Sequence, residues 1–137
     1  MSRSVLDCSV ALSWCFEDEA TPETDALLDR VRDEGAVVPS LWHLELANIL
    51  LHAERRRRIS TEDVATRLSL IAVLPILTDQ ETTIRAWHDI LGIARVEGLT
   101  TYDAAYLELA IRLGIPLLTK DNDLIAAAGR RGVRVLP

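Results

Sequence analysis

TTYDAAYLELA, at residues 100–110, and IPLLTKDND, at residues 115–123, decide the fold of this chain. In the first stretch the apolar residues recur at helical spacing and Gly114 follows, so we predict a helix over residues 101–113. The second stretch contains an apolar run at residues 116–119 that is too short for a helix, and we predict a strand there. Asp103 then lies in the first turn of the helix, and Asp121 lies just beyond the end of the strand.

The same alternation of short strands and helices extends along the rest of the chain. We predict further strands at residues 4–7, 36–38, 74–77 and 133–135. We predict further helices at residues 10–16 (capped by Ser9), 22–34, 41–57, 61–72 (opened by a capping box of Ser60 and Asp63), from 79 or 80 to 96, and 122–128 (closed by Gly129). Short apolar strands between helices are typical of a parallel sheet covered on both faces. We therefore expect one α/β domain over residues 1–137, with the strand that contains Pro75 at an edge of the sheet.

Composition excludes several classes of protein. The formal net charge is −6, which disfavours broad electrostatic binding to nucleic acid but allows an acidic site that meets phosphate through a metal ion. Cys8 and Cys15 lack the paired ligand spacing of a zinc site, so we expect inert, reduced thiols. No apolar run reaches the roughly 18 residues of a membrane span. The start, MSRS, leads directly into a predicted strand, and we expect a cytoplasmic protein without membrane contact.

Four carboxylates lie at corresponding places in these predicted elements. Asp7 and Asp121 follow strands, and Glu45 and Asp103 lie in the early turns of helices that begin at the same edge of the sheet. Sites in open parallel sheets form beyond the carboxyl ends of the strands, so these side chains can converge. Packed carboxylates repel one another unless a cation neutralises them, and oxygen ligands select Mg²⁺ or Mn²⁺ rather than zinc. This pattern indicates metal-assisted hydrolysis of a phosphodiester.

Other polar residues could have either an ordinary structural role or a role in the site. Ser9 and Thr101 are ordinary helix caps or orient ligands and water, and Asp123 could share or replace the role of Asp121. Lys120, beside Asp121, is placed to contact phosphate. The run Arg55, Arg56, Arg57 and Arg58 is either a solvated helix end or a patch that guides RNA. The spacing of Glu54 and Arg58 favours the solvated interpretation.

At these residues the chain resembles the PIN-domain family and, within it, VapC-type toxins. The motifs are VLDCSVALSW at 5–14, LELANIL at 44–50, LTTYDAAYLELA at 99–110 and LLTKDNDL at 117–124, which supply Asp7 with Ser9, Glu45, Asp103 and Asp121. The resemblance implies a three-layer sandwich with about five mostly parallel strands, and a Mg²⁺- or Mn²⁺-dependent endoribonuclease. It also implies a homodimer and a VapB-like antitoxin that blocks the site, in a heterotetramer or larger complex that reaches operator DNA only through the antitoxin.

Two alternatives stay open at this stage. A phosphoacceptor receiver domain also carries carboxylates at strand ends, but it requires an acceptor aspartate after a central strand, whereas Asp79 follows a predicted edge strand. The second alternative is a non-catalytic PIN-fold binding module. The intact set of four carboxylates argues against it.

Overall fold

The computed structural model describes residues 3–137 and contains one five-stranded sheet. The strands are β1 (Ser4–Leu6), β2 (Ala36–Val38), β3 (Ile76–Thr78), β4 (Leu117–Leu118) and β5 (Val135–Leu136). Their order is β3-β2-β1-β4-β5, and every neighbouring pair is parallel. The predicted parallel α/β sheet is confirmed, and β3, which directly follows Pro75, lies at an edge as expected.

Most of the helices begin and end close to the positions that the capping residues in the sequence predict. They are α1 (Cys8–Ser13), α2 (Pro22–Glu34), α3 (Trp42–Arg55), α4 (Thr61–Ala72), α5 (Thr82–Arg85), α6 (Leu91–Glu97), α7 (Thr101–Leu113) and α8 (Asn122–Arg130). Ser60 and Asp63 form the predicted capping box of α4, each side chain bonding the other residue's backbone N–H. The observed bounds of α7 equal the predicted ones, with Gly114 in the left-handed conformation at its end.

Helices cover both faces of the sheet. All three residues of β1 and all three of β2 are buried, although successive side chains of a strand point to opposite faces. Both residues of β4 are buried as well, while the edge strands β3 and β5 are only partly so. Burial on both sides explains why the central strands have continuous apolar sequences rather than an alternating pattern.

Three local predictions were wrong. Ser9 does not cap the first helix, because α1 begins at Cys8 and Asp7 occupies the cap position. Gly129 does not end the last helix but lies inside α8, and the turn falls at Arg131 and Gly132 instead. The helix predicted over residues 80–96 is interrupted by a π-helical stretch, Ala86–Ile90, between α5 and α6. Trp87 of that stretch is 84% exposed.

Met1 and Ser2 lie outside the described residues. The absence of a targeting segment was inferred from a start that includes both of them. Along residues 3–137, none of the helices combines the length and the apolar character needed to cross a bilayer.

The end of α3 contains a strained residue. Arg57 has φ of 60°, the left-handed conformation that costs an L-residue with a side chain roughly 1 kcal/mol and that glycine adopts freely. The chain needs it there because the N–H of Arg58 donates to the carbonyl of Ala53, closing the helix end. We expect Arg57→Gly to raise the free energy of unfolding by about 0.5–1 kcal/mol in urea denaturation.

A matched control lies one position earlier. Arg56 is also exposed but has φ of −83°, which any residue adopts. Arg56→Gly should therefore lower the free energy of unfolding through backbone entropy alone. Equal effects of the two glycine variants would contradict the strain at Arg57.

Candidate active site

The order of the strands creates a crevice between β1 and β4. The chain moves outward from β1 to β2 to β3 and then returns to the other side of β1 to form β4. Ligand sites of open parallel sheets lie at such a reversal, beyond the carboxyl ends of the strands. Because Leu6 pairs with Leu118, Asp7 and Thr119 emerge side by side at this edge.

Asp7 is the buried centre of the crevice, with only 7% of its surface exposed. The hydroxyls of Ser9 and Thr119 both donate to its Oδ2, at 2.7 Å each. Burial raises the pKa of Asp7, and the bonds from Thr119 and Ser9 oppose that rise. Two donors on one oxygen fix the orientation of the carboxylate toward the crevice.

The loop after β4 is tied to the same two hydroxyls. The backbone N–H of Lys120 donates to Oγ of Ser9 at 2.9 Å, and that of Asp121 donates to Oγ1 of Thr119 at 3.1 Å. Each hydroxyl therefore accepts a hydrogen bond from the loop and donates one to Asp7. These two pairs of bonds hold the backbone of Asp121 at the crevice, and the Lys120 side chain is exposed beside it.

Glu45 is provided by the first turns of α3 and is partly buried. Its Oε1 accepts a hydrogen bond from the hydroxyl of Tyr106, a fully buried residue of α7. Burial raises the pKa of Glu45, the Tyr106 bond lowers it, and the charge of Asp7 raises it again. The contribution of Asp7 indicates that the two carboxylates are close enough for their charges to interact.

Asp103 is where the charges of the site converge. It lies in the first turn of α7, where its backbone N–H donates to Oγ1 of Thr100 at 3.1 Å. Its pKa rises to about 6, first because of burial and then because of the charges of Asp121, Asp7, Glu45 and Asp123, in that order. The other four acidic residues that the sequence singled out are thus all close enough for their charges to act on Asp103.

Asp121 and Asp123 differ in placement. Asp121 is partly buried and caps α8, with its Oδ1 accepting from the N–H of Leu124 at 2.9 Å. Asp123 is exposed in the first turn of α8, and its effect on Asp103 is the smallest of the four charges. The geometry therefore favours Asp121 as the fourth member of the site.

The donor set suits a hard divalent ion. Every candidate ligand is a carboxylate oxygen, and the nearby Cys8 is a buried thiol whose pKa burial raises far above neutrality, so it offers no thiolate. Within residues 3–137 no three acidic, histidine or cysteine side chains already enclose a common metal position. Repulsion between carboxylates favours such an open arrangement, and Mg²⁺ retains several waters through which ligands can bind.

The remaining predicted residues lie less close to the crevice. Thr101 is exposed, and the cap of α7 is Thr100 instead. The arginine run lies at the opposite end of α3 from Glu45, about 15 Å away along the helix axis. The proposed pairing of Glu54 with Arg58 was wrong, because Arg58 binds Asp18 and Glu19 at 2.9 Å each.

Sequence reasoning missed two residues that hold the site together, Thr119 and Tyr106. Thr119 stands two positions before Asp121, where its strand position opposite Asp7 could have been inferred from parallel pairing. Tyr106 lies three positions after Asp103, so both occupy one side of α7, and that spacing was the available signal. Neither contact is local, since 112 and 61 residues separate the bonded partners.

Comparisons with known proteins agree with this architecture. PAE2754 from Pyrobaculum aerophilum is similar in structure, with a TM-score of 0.72 and 22% identity over 98% of this chain and 83% of that one. FitAcB from Neisseria gonorrhoeae has a TM-score of 0.56 and 20% identity over 97% of this chain and 96% of that one. At these identities the likeness shows the fold alone. A search of curated proteins finds no significant match.

The family follows from the sequence profile. The profile of the PIN domain matches residues 4–130, which include the whole crevice. The chain belongs to the PIN domain family. PIN domains are in general metal-dependent nucleases. Because the chain belongs to this family, it is not a phosphoacceptor receiver domain.

Proposed function

We propose that this protein is a Mg²⁺- or Mn²⁺-dependent endoribonuclease, formed by a single domain over residues 1–137 and acting as a VapC-type toxin. The observation that carries the proposal is the convergence of four other carboxylate charges on Asp103, whose pKa rises to about 6. Such repulsion destabilises the free protein, and binding of a divalent cation relieves it. The motifs that resemble VapC-type toxins support the finer assignment.

The roles follow from the placement of each side chain. Asp7, Glu45 and Asp103 would hold the ion directly or through water, and Asp121 would complete the set. Ser9 and Thr119 keep Asp7 oriented through bonds of 2.7 Å. When bound, the ion supplies an activated water and neutralises charge on the scissile phosphate.

Lys120 is the cation best placed for the substrate. It is exposed, and its backbone is held by Ser9 within the loop that positions Asp121. An ammonium group there would meet a phosphate adjacent to the one being cut. Because the protein carries a net charge of −6, such local cations are needed to bring RNA to the crevice.

The arginine run contributes to RNA binding through three of its members. Arg58 is held by Asp18 and Glu19, and its guanidinium stacks 3.8 Å from the centre of the Phe16 ring, so we assign it a structural role. Arg55, Arg56 and Arg57 are exposed and form no ion pair among the described residues. Replacing these three with Gln should weaken RNA binding and reduce the slope of log K against log salt by about 0.7 for each lost phosphate contact.

RNA binding is best measured by fluorescence anisotropy in an inactive variant such as Asp103→Asn. A series from about 50 to about 300 mM KCl is wide enough to determine the slope of log K against log salt. The control replaces three other exposed arginines with Gln, namely Arg32, Arg95 and Arg134. Equal slopes for the two triple variants would show that the run is only a solvated helix end.

A homodimer and a VapB-like antitoxin complete the proposal. Ile84 and Trp87, 74% and 84% exposed and three positions apart, form an apolar surface of the kind that a protein interface covers. In the complex, the antitoxin would block the crevice and would make the contact with operator DNA. A small open reading frame beside this one in the genome is the cheapest support for such a partner.

The direct test is a cleavage assay on defined RNAs with purified protein, with and without Mn²⁺. Cleavage that requires the ion and stops with EDTA supports the nuclease. A protein that binds Mn²⁺ but cleaves none of the RNAs would favour the non-catalytic binding module.

A further inference from the structure

The hydroxyl of Tyr106 restrains one of the site carboxylates. Tyr106 is fully buried in α7, and its hydroxyl donates to Oε1 of Glu45. The same hydroxyl lies 3.7 Å from Sγ of Cys8, which itself lies 3.7 Å from the carbonyl of Trp42 in the first turn of α3. Three elements thus meet at one buried hydroxyl, and the proposed chemistry does not use its bond to Glu45.

The direction of this bond limits how Glu45 can bind an ion. Because the Tyr106 hydroxyl is buried, its bond ties Oε1 to the interior of the protein, whereas Oε2 accepts no hydrogen bond from the described residues. Asp103 lies three residues before Tyr106 on the same helix, so α7 both supplies one carboxylate and sets the position of another. An ion at the crevice would therefore meet Glu45 most readily through Oε2 alone.

Binding through a single oxygen distinguishes between divalent ions. Mg²⁺ requires six ligands in near-octahedral geometry at about 2.1 Å and uses one or two carboxylates with several waters. Ca²⁺ takes six to eight oxygens at about 2.3–2.6 Å and commonly binds both oxygens of one carboxylate. We propose that Tyr106 is a positioning residue that makes the site select Mg²⁺ or Mn²⁺ over Ca²⁺ by restricting Glu45 to one oxygen. This inference rests on the proposed metal site.

The test compares ion affinities in Tyr106→Phe with those of the wild type. Phe keeps the buried ring and removes only the hydroxyl, so Glu45 becomes free to turn both oxygens to the ion. We expect the affinity for Ca²⁺ relative to Mn²⁺ to rise roughly tenfold, at the lower end of the changes that follow loss of an outer hydrogen bond. Isothermal titration calorimetry with Mn²⁺, Mg²⁺ and Ca²⁺ separately gives this ratio without any RNA.

The matched control is Tyr102→Phe, which removes a hydroxyl from the same helix beside Asp103. Tyr102 is 64% exposed and makes no side-chain hydrogen bond among the described residues. Its variant should keep the wild-type selectivity. If Tyr106→Phe does not fold, Tyr106→Met is the second variant, because methionine adapts to the space of the ring.

The outcomes separate this inference from the proposed function. An unchanged affinity ratio in Tyr106→Phe, or affinities for all three ions that fall in parallel with thermal stability, overturns the positioning role alone. A wild type that binds none of the three ions overturns the metal site and this inference together. Selective gain of Ca²⁺ binding supports the inference even if no RNA is cut.

Discussion

Asp103→Asn is expected to lower Mn²⁺-dependent RNA cleavage by about three orders of magnitude or more. The substitution removes the carboxylate on which the charges of all the others act. Charge stabilisation by a catalytic ion is worth several kcal/mol, and each 1.4 kcal/mol corresponds to about tenfold in rate. Asn has nearly the same shape, and the bond from the backbone N–H of residue 103 to Thr100 does not depend on the side chain, so the fold should persist.

The measurement is single-turnover cleavage of a defined RNA at saturating Mn²⁺, with circular dichroism to verify folding. The control is Asp33→Asn, the same chemical change at an exposed residue of α2, which should cleave at the wild-type rate. Full activity of a folded Asp103→Asn protein would remove Asp103 from the site.

The same assay decides between Asp121 and Asp123. Asp121 is partly buried and tied to the hydroxyl that binds Asp7, whereas Asp123 is exposed. We expect Asp121→Asn to lose far more activity than Asp123→Asn. The reverse order would make Asp123 the fourth ligand, and the cap of α8 would then be the only role of Asp121.

Local signals in the sequence were sufficient for much of the fold. The capping box at Ser60 and Asp63, the glycine after Leu113 and the proline before β3 each act within a few residues, and each predicted an observed boundary or an edge. Apolar runs of three residues were enough to indicate a parallel sheet buried on both faces. These features depend on backbone geometry and periodicity, which the sequence expresses directly.

Features that depend on distant pairing could not be predicted in this way. The hydroxyl of Thr119 acquires its role only because β4 pairs with β1, and that of Tyr106 only because α7 packs near Glu45. Arg58 forms ion pairs with Asp18 and Glu19, about forty positions earlier in the chain, and not with Glu54, which the helical spacing had suggested as its partner. The helix turns before and after Ala86–Ile90 were expected, but the π-helical stretch has no sequence signal that distinguishes it.

The stability of the ion-free protein should fall as the pH rises through the range in which Asp103 ionises. Its ordinary pKa of 3.8 rises to about 6 in the fold, so between these values the native state holds a proton that the unfolded state has lost. Stability is therefore greatest below about pH 4 for this group, declines toward pH 6, and is constant above. Burial also raises the pKa values of Asp7 and Glu45, which act in the same direction.

Comparison with Asp103→Asn isolates the contribution of Asp103 together with its coupling to the neighbouring carboxylates, because groups outside the crevice titrate equally in both proteins. A shift of this size corresponds to at most about 3 kcal/mol, and solvent screening together with the lost interaction of the carboxylate with the helix dipole reduces it to about 1–2 kcal/mol. The variant should be more stable than the wild type at pH 7.5 in EDTA, with a gap that widens from about pH 4 to pH 6. A gap that is independent of pH would show that Asp103 carries no raised pKa.

Addition of Mn²⁺ should reverse this order of stabilities at pH 7.5. An ion that binds only the native state stabilises it by about 2.7 kcal/mol at one hundred times its dissociation constant, which corresponds to a rise in melting temperature of several degrees for a domain of this size. The wild type should gain this increment and Asp103→Asn should gain little, as measured by calorimetry with and without EDTA. Because the charge repulsion that weakens the free protein is the same repulsion that the ion relieves, the two effects must appear together. Equal stabilisation of both proteins by Mn²⁺ would place the ion away from Asp103.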